Sequence, residues 1–584
     1  MKLLLLFFAI IFAVPAIGQD PLWQKKISPV LSSKMSDDEQ VSFLIIMKAQ
    51  ADISDAGSHQ TKVEKGYYVF HALKQFAQES QKSIIKELKS HNAPVQSLFI
   101  VNAIHTRGNS LLIQSLAERN DVVKILDDSP VKFSEPEEWT PGPANSRNAV
   151  EWGIERVNAD DVWALGFLGQ GVVVGGEDTG YEWDHPALIN QYRGYNSLTD
   201  SVDHNYNWHD AIHQVDPHNP DSIPNPCGLD SPVPCDDGGH GTHTMGTMVG
   251  LDSANQIGVA PEAKWCGCRN MERGWGTPFT YIECFQWFLG PTDLNNENPD
   301  PSKAPHVINN SWSCPEIEGC DSSNWEVMNL VVNNLRSAGI VVVVSAGNSG
   351  SSCSSITTPA AIFEGSFSVG ATAMNDTIAG FSSRGPVAVD SSFRLKPNVS
   401  APGVSVRSAS LNGTYVHSSG TSMAGPHVAG VVALMISANP QLAGQVEIIE
   451  DIIEQTAVPK TTNQDCGDIA GSQVPNHTYG YGRVDALAAV QAAMLVEVGT
   501  SFPAELSQVK VYPNPASTIL FIDTKELTGE SKFEMFDLNG KVVVQNVLHE
   551  NQVNQISIQT FSTGIYFYRI LHGKELLQGK IIKQ

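Results

Sequence analysis

Ser419-Gly420-Thr421-Ser422-Met423-Ala424-Gly425-Pro426 leads into Val428-Ala429-Gly430-Val431-Val432-Ala433-Leu434-Met435, a loop of small residues followed by an apolar run of helical character. The junction puts Ser422 near a helix N-terminus, where unpaired backbone N–H groups and the positive end of the helix dipole favour developing negative charge. A serine nucleophile needs that setting. It also needs a base within hydrogen-bond reach and a group that orients the base. By itself Ser422 reads as a helix cap.

Two further stretches supply the missing groups. Val172-Val173-Val174-Gly175-Gly176-Glu177-Asp178-Thr179-Gly180 is a β-branched run ending in an acid and a glycine. It predicts a buried parallel strand that delivers Asp178 at its carboxyl end, where open α/β sheets carry their sites. Asp237-Gly238-Gly239-His240-Gly241-Thr242-His243 sets His240 in a glycine-rich turn ahead of a second small-residue helix. Asp, His and Ser thus follow in that order, each at the end of an element flanked by glycine.

These stretches resemble the three catalytic motifs of the subtilisin-like serine proteases, and most closely the bacillopeptidase F branch. His185-Pro186, Gly258-Val259-Ala260-Pro261, Ser345-Ala346-Gly347-Asn348, Phe381-Ser382-Ser383-Arg384-Gly385 and Ala401-Pro402-Gly403 extend the resemblance, which runs from about residue 152 to 493. It implies a three-layer α/β fold with a mainly parallel sheet and a triad of Asp178, His240 and Ser422. The side chain of Asn348 and the backbone N–H of Ser422 would be the oxyanion donors. It also implies peptide binding by strand addition, with Ser311, Trp312 and Ser313 along one edge of the cleft and Gly274, Trp275 and Gly276 along the other. Gly347 would lie at the pocket floor. At the first edge the family has a small residue followed by Leu-Gly-Gly, so Trp312 and Ser313 depart from the pattern. The reaction needs no cofactor. His240 and His243 have a spacing that metal ligands also use. No adjacent Glu base or third ligand accompanies them, so no catalytic metal is expected. His243 and His427 read as packed, hydrogen-bonded residues.

The rest of the chain is read around that core. A length of 584 residues exceeds one hydrophobic core and predicts several domains. Residues 1–18 have a basic start, an apolar centre and a small-residue end, the pattern of a signal peptide. Residues 19–145 alternate strand and helix patterns and predict a small α+β module, with strands at 41–47, 97–103 and 122–126 and helices at 67–88 and 111–117. By position it resembles the propeptides of subtilisin-like proteases, which assist folding and occupy the cleft. Residues 135–145, rich in Pro, Glu and Gly, read as an exposed processing linker. The catalytic domain is expected over 146–497, with a polar insertion at 205–237 beside His240.

Residues 141–504 carry 38 Asp+Glu against 14 Lys+Arg, so nearly all of the net charge of -25 lies on that domain. Phosphate backbones would be repelled, which argues against nucleic acid as a partner. All nine cysteines fall between Cys227 and Cys466. Cys227 with Cys235 and Cys314 with Cys320 are local pairs, Cys266 and Cys268 are not expected to bond each other, and the odd count leaves one thiol over. Structural calcium is common in the family, and the acidic loop 216–237 is its candidate location, although no spacing there defines a site.

After a linker at 498–508, residues 509–584 alternate strand runs with turns, Asn539-Gly540 being a hairpin signal, and predict a small β-sandwich. Val511-Tyr512-Pro513-Asn514-Pro515, Phe536-Asp537-Leu538-Asn539-Gly540-Lys541 and Gly564-Ile565-Tyr566-Phe567 resemble the type A sorting domain of the type IX secretion system. That implies type IX secretion machinery as a partner and a secreted or surface-attached protein of a Bacteroidota-like bacterium. The expectation is a secreted serine endopeptidase made as a zymogen, acting on protein or peptide substrates and inhibited by its own propeptide. The competing reading is a catalytically inert surface binding protein on the same scaffold.

Overall fold

The β-branched runs in the middle of the chain assemble into a seven-stranded sheet in the computed structural model. It describes residues 21–583, apart from 133–137, 143–149, 220–223, 312–321, 323, 497–508 and, near the C-terminus, 514–515, 525–526, 528, 530, 537–540, 563 and 573–574. The strand order is Trp208–Asp210, Lys264–Arg269, Val173–Asp178, Val307–Asn310, Val341–Ser345, Phe367–Thr372 and Val399–Pro402, all neighbours parallel. Val341–Ser345 and Phe367–Thr372 are buried throughout, as strands covered on both faces must be. Val173–Asp178 enters the sheet first. The next two strands join on one side of it and the remaining four on the other, so its carboxyl end, with Asp178, is a topological switch point.

One face is covered by the helices His240–Val249, Thr421–Ala438 and Ala486–Ala493, whose Met245, Val428, Val431 and Val490 pack with Val174, Val307 and Val343. Thr421–Ala438 is long and apolar enough to cross a membrane, yet it is buried inside this layer. A helix apolar on all sides belongs in such a centre. The other face carries Pro278–Leu289 and Trp325–Ser337, with Phe285, Phe288 and Val331 packed among Ile308 and Val342.

The N-terminal unit is α+β. Its antiparallel sheet runs Gln96–Leu98, Ala103–Gly108, Val41–Met47, Val122–Asp127. Two expectations need correction. The helix read at 67–88 is two helices, Lys62–Ser80 and Lys82–Ser90, meeting at Gln81. The buried Gln81 amide donates to the carbonyls of Leu98 and Ala103 and to Asn102, so it is anchored to the sheet. The strand read at 97–103 is two strands around a turn. The apolar Ile100 and Val101 of that turn are buried in one cluster with Phe285 of the larger domain, so their hydrophobicity signals an interface rather than a strand.

That interface is specific. Phe70 fills the space over Gly290, where a Cβ would stand 2.5 Å from the ring. Gln286 Oε1 accepts from the Phe99 and Ile100 N–H groups at 2.6 and 3.2 Å. Asp128 Oδ1 accepts from Phe279 N at 2.8 Å and so caps the helix Pro278–Leu289 from across the boundary. Lys62, buried, donates to the Ala304 carbonyl at 2.7 Å.

The stretch read as an irregular linker at 135–145 is corrected in part. Glu138–Pro141 is a strand, antiparallel to Thr414–Ser419. Just before it, Val131–Lys132 pairs antiparallel with Trp275–Gly276. Edge strands supplied from far away in sequence order a segment whose own composition predicts none.

The C-terminal unit has a three-stranded sheet (Lys510–Tyr512, Ile519–Asp523, Val553–Ser557) and a four-stranded one (Val542–Leu548, Ser531–Phe536, Gly564–His572, Glu575–Lys583) sharing one core around Leu520, Phe533 and Ile570. The expected signal peptide at 1–18, the expected linker at 498–508 and the expected Asn539-Gly540 turn lie outside the described residues.

Candidate active site

Four chain segments converge at the carboxyl edge of the large sheet. Asp178 is the last residue of its strand and is 1% exposed. His240 opens the helix His240–Val249 after Gly239, which sits at φ 82°, a left-handed turn that favours glycine. His240 Nδ1 and Asp178 Oδ1 are 2.7 Å apart, and the same oxygen accepts from Thr179 N at 2.8 Å. The carboxylate therefore receives Nδ1–H and leaves Nε2 as the basic nitrogen.

Ser422 is the second residue of the helix Thr421–Ala438, where a backbone N–H has no intrahelical acceptor. Its Oγ donates to the Ser311 carbonyl at 2.9 Å. Transfer of that proton to His240 means giving up the bond to the Ser311 carbonyl, and catalytic hydrogen bonds commonly tighten only when substrate arrives. Pro426 lies inside this helix and lacks the N–H that would reach the Ser422 carbonyl. Ser311 Oγ donates to that carbonyl instead, at 3.1 Å, and is itself oriented by Asn309 Nδ2 at 2.8 Å. Ser311 is thus bonded to the nucleophile twice.

Asn348 follows the strand Val341–Ser345 through Gly347, at φ 99°. Its Oδ1 accepts from both the N–H and the hydroxyl of Thr421, each at 2.9 Å. Those two donors fix the amide orientation, and Nδ2 is turned toward the Gly420 side, where a Cβ would lie 3.4 Å from it. The glycine keeps the space between the Asn348 amide and the start of the Ser422 helix open. Ser383 supports the loop from behind, donating its N–H to the Gly347 carbonyl and accepting from Ser349 N.

The neighbouring histidines do not compete for the proton. Burial, aided by the nearby His240, lowers His243 to about 3, and its Nε2 lies 3.1 Å from the Val406 carbonyl. Burial lowers His427 to about 4, with Nδ1 on the Met423 carbonyl. Both are packed residues, as the sequence predicts.

Within the stretch expected as the second edge, Gly274 to Gly276, Trp275–Gly276 is a short strand that pairs antiparallel with Val131–Lys132. His218, from the insertion at 205–237, stacks on Trp275 with ring centres 4.2 Å apart. The insertion is pinned by the Cys227–Cys235 disulfide and by Asp210, which holds the fully buried Arg269 through two bonds. Trp312, Ser313, Cys314 and Cys320 lie outside the described residues. Two pairings the sequence does not predict are Cys268–Cys284 and Cys353–Cys466, and Cys266 is a buried free thiol. The described acidic side chains of the insertion are engaged with protein donors. Asp216 binds His218, Asp230 binds His213, Asp236 binds Thr179 and Thr242, and Asp237 accepts from Arg273 N, and among the described residues no three His, Cys, Asp or Glu side chains group as metal ligands.

Sequence reasoning misses Thr179, Asp236, Asn309 and Thr421, whose contribution is hydrogen bonding to backbone or to a neighbouring side chain. Only their position next to Asp178, His240, Ser311 and Ser422 signals them.

The Subtilase family profile matches residues 169–482, and that of the secretion system C-terminal sorting domain matches 510–584. Bacillopeptidase F of Bacillus subtilis is 37% identical over 504 residues, covering 80% of this chain and 32% of its own length. The chain thus spans about a third of that relative. The thermostable alkaline protease of Halalkalibacterium halodurans is 29% identical over 386 residues, 65% of this chain and 88% of the relative. Among solved structures, the epidermin leader peptide processing serine protease of Staphylococcus aureus superposes with a TM-score of 0.54 at 15% identity, covering 78% of this chain and 99% of that one, a likeness of fold alone.

Proposed function

The chain belongs to the subtilase family and carries a secretion-system sorting domain, and from that premise we propose that it is a secreted serine endopeptidase made as a zymogen. The observation that carries the reading is the buried Asp178–His240 bond at 2.7 Å beside a serine at a helix start. Ser422 Oγ attacks the scissile carbonyl while His240 Nε2 takes its proton. His240 then hands the proton to the leaving amine, and water repeats the sequence on the acyl-enzyme. Asp178 holds the imidazole in the required tautomer and stabilises the imidazolium. The tetrahedral oxyanion is received by the Asn348 amide and the Ser422 N–H. The type IX route and a Bacteroidota-like host belong to the same proposal.

Asn348→Ala is expected to lower kcat by about 100- to 1000-fold with KM little changed, the range known for the equivalent donor in subtilisin and taken over from it. Steady-state kinetics on a chromogenic peptide check this; an unchanged kcat rejects the oxyanion role.

The N-terminal unit acts as the propeptide. Support comes from Val131–Lys132 pairing with one cleft edge and Glu138–Pro141 pairing with the strand that leads into Ser422. The activating cut is therefore expected among the bonds from Lys132 to Glu138, and N-terminal sequencing of the processed enzyme locates it.

Lys62 gives the propeptide's grip a pH dependence. Burial, with the Arg193 charge as a lesser cause, lowers Lys62 from 10.5 to about 7 in the packed state. Packing then expels a proton between those values, so the separated state binds more protons in that window. The grip tightens as pH rises from 7 toward 10.5 and weakens as pH falls toward 7, by up to about tenfold per pH unit. Dissociation of the cut propeptide measured across that range checks this. A flat profile in the wild type, or an unaltered slope in Lys62→Met, rejects it.

A further inference from the structure

We propose that Asp236, acting through Thr179, is the positioning residue that sets the Asp178–His240 pair; this rests on the peptidase reading above. Asp178 ends a strand and His240 begins a helix 62 residues later, so neither sheet register nor helix geometry fixes one against the other. One carboxylate reaches both the residue after Asp178 and the turns on either side of His240. Asp236 Oδ1 accepts from Thr179 Oγ1 at 2.8 Å, Gly238 N at 2.9 Å and Gly239 N at 2.7 Å. Its Oδ2 accepts from the N–H and hydroxyl of Thr242 at 3.0 and 2.6 Å. Asp236 is 7% exposed and forms no ion pair among the described residues. Four donors around the start of the His240 helix and the Thr179 hydroxyl take the place of water around this buried carboxylate.

The bonds form a closed circuit. Thr179 N donates to Asp178 Oδ1, the oxygen that holds His240 Nδ1. Thr179 Oγ1 donates to Asp236 and accepts from Gly241 N at 3.1 Å, the residue after His240. Asp236 grips the turn before His240 and, through Thr242, the turn after it. Backbone contacts close the same seam: Tyr181 N donates to the Cys235 carbonyl, and Gly180 bridges Asp236. At Gly241 a Cβ would stand 2.1 Å from the Gly180 carbonyl oxygen, so the two segments touch with no room for a side chain.

A helix cap alone would need only the bonds to Gly238, Gly239 and Thr242. The bond to Thr179 has no capping use. It couples the cap to the residue beside Asp178, and that bond can be removed separately.

The test compares Thr179→Val, Thr179→Ser and Asp236→Asn with the wild-type enzyme. Thr179→Val keeps the shape and the bonds of Asp236 to Gly238, Gly239 and Thr242 but loses the bridging hydroxyl, and with it the bond from Gly241 N. It is expected to lower kcat by about 10- to 100-fold with KM within about twofold, the scale of a small misplacement of reacting groups. Thr179→Ser restores kcat, and Asp236→Asn lowers it at least as far as Thr179→Val. In the Asp178→Ala background Thr179→Val costs nothing further, since a positioning residue has nothing left to position. A wild-type kcat in Thr179→Val overturns the proposal, as do losses that multiply in the double variant. The downfield Nδ1–H proton resonance of His240 gives a readout free of turnover. Its displacement in Thr179→Val and return in Thr179→Ser support the proposal, and an unchanged resonance overturns it, even if an inactive wild type has already removed the peptidase reading. Should Asp236→Asn fail to fold, the Thr179 pair still decides.

Discussion

Ser422→Ala precursor stays at full length indefinitely, while the wild type loses its N-terminal unit. On a peptide substrate the variant's kcat falls by roughly a millionfold, the figure known for removing the nucleophile of subtilisin and taken over from it. The fold should persist. The substitution deletes one hydroxyl, whose bond runs to the Ser311 carbonyl, and the reciprocal bond from Ser311 Oγ uses only the backbone carbonyl of residue 422 and survives. One neutral hydrogen bond amounts to about 1 kcal/mol, a small change in Tm. Intact mass over time, wild type beside variant, is the measurement. A trace of processed wild type added to the variant should trim it between Lys132 and Glu138, which separates an intact substrate from a misfolded one. Self-cleavage by Ser422→Ala would remove the triad assignment, and an uncut wild type would mean that another protease activates the chain or that its cleft is inert.

What the sequence reveals of this site, and what it hides, follows from which interactions leave a local pattern. The strand Val173–Asp178 and the helix Ser110–Glu118 stand where the residues place them, because burial on both faces, or on one helical face, writes its pattern into the chain. Asp178, His240 and Ser422 are legible because each ends a regular element next to glycine. Asp236 is not. A carboxylate that receives backbone N–H groups has no periodicity, and beside Asp237 it looks like one of a pair of loop acids. Yet Asp236 is ringed by five donors, while Asp237 caps Arg273 N and burial raises it to about 7. The strand Glu138–Pro141 is illegible for a different reason: its partner, Thr414–Ser419, lies more than two hundred residues downstream, and the segment's Pro and Glu content argues against a strand. The Cys353–Cys466 bond, 113 residues apart, is a tertiary fact of the same kind.

The geometry at Asp178 separates two contributions that are usually lost together. Asp178→Ala removes both the orientation and the charge, and kcat should fall on the order of 10,000-fold, as the same change does in subtilisin, from which the figure is taken. Asp178→Asn should be milder. Here both bonds to the carboxylate, from His240 Nδ1 and Thr179 N, end on Oδ1, and Oδ2 has no hydrogen-bond partner among the described residues. An asparagine can therefore keep its carbonyl oxygen where Oδ1 stands, hold His240 in the same tautomer, and place its NH2 where Oδ2 was. The opposite orientation would aim that NH2 at the Thr179 N–H, donor against donor. What Asp178→Asn loses is the negative charge opposite the imidazolium, a loss of roughly 1000-fold for charges in contact near a protein's effective dielectric. Leaving a buried NH2 without an acceptor costs about 1–3 kcal/mol of stability, so Tm should drop although the catalytic geometry holds. Kinetics of the two variants, read beside their melting temperatures, test this. An Asp178→Asn enzyme as impaired as Asp178→Ala would mean that the amide has flipped and that Thr179 N does not control it. An Asp178→Ala enzyme with near-normal kcat would mean that His240 needs no orienting acid, and the triad would fail at its first member.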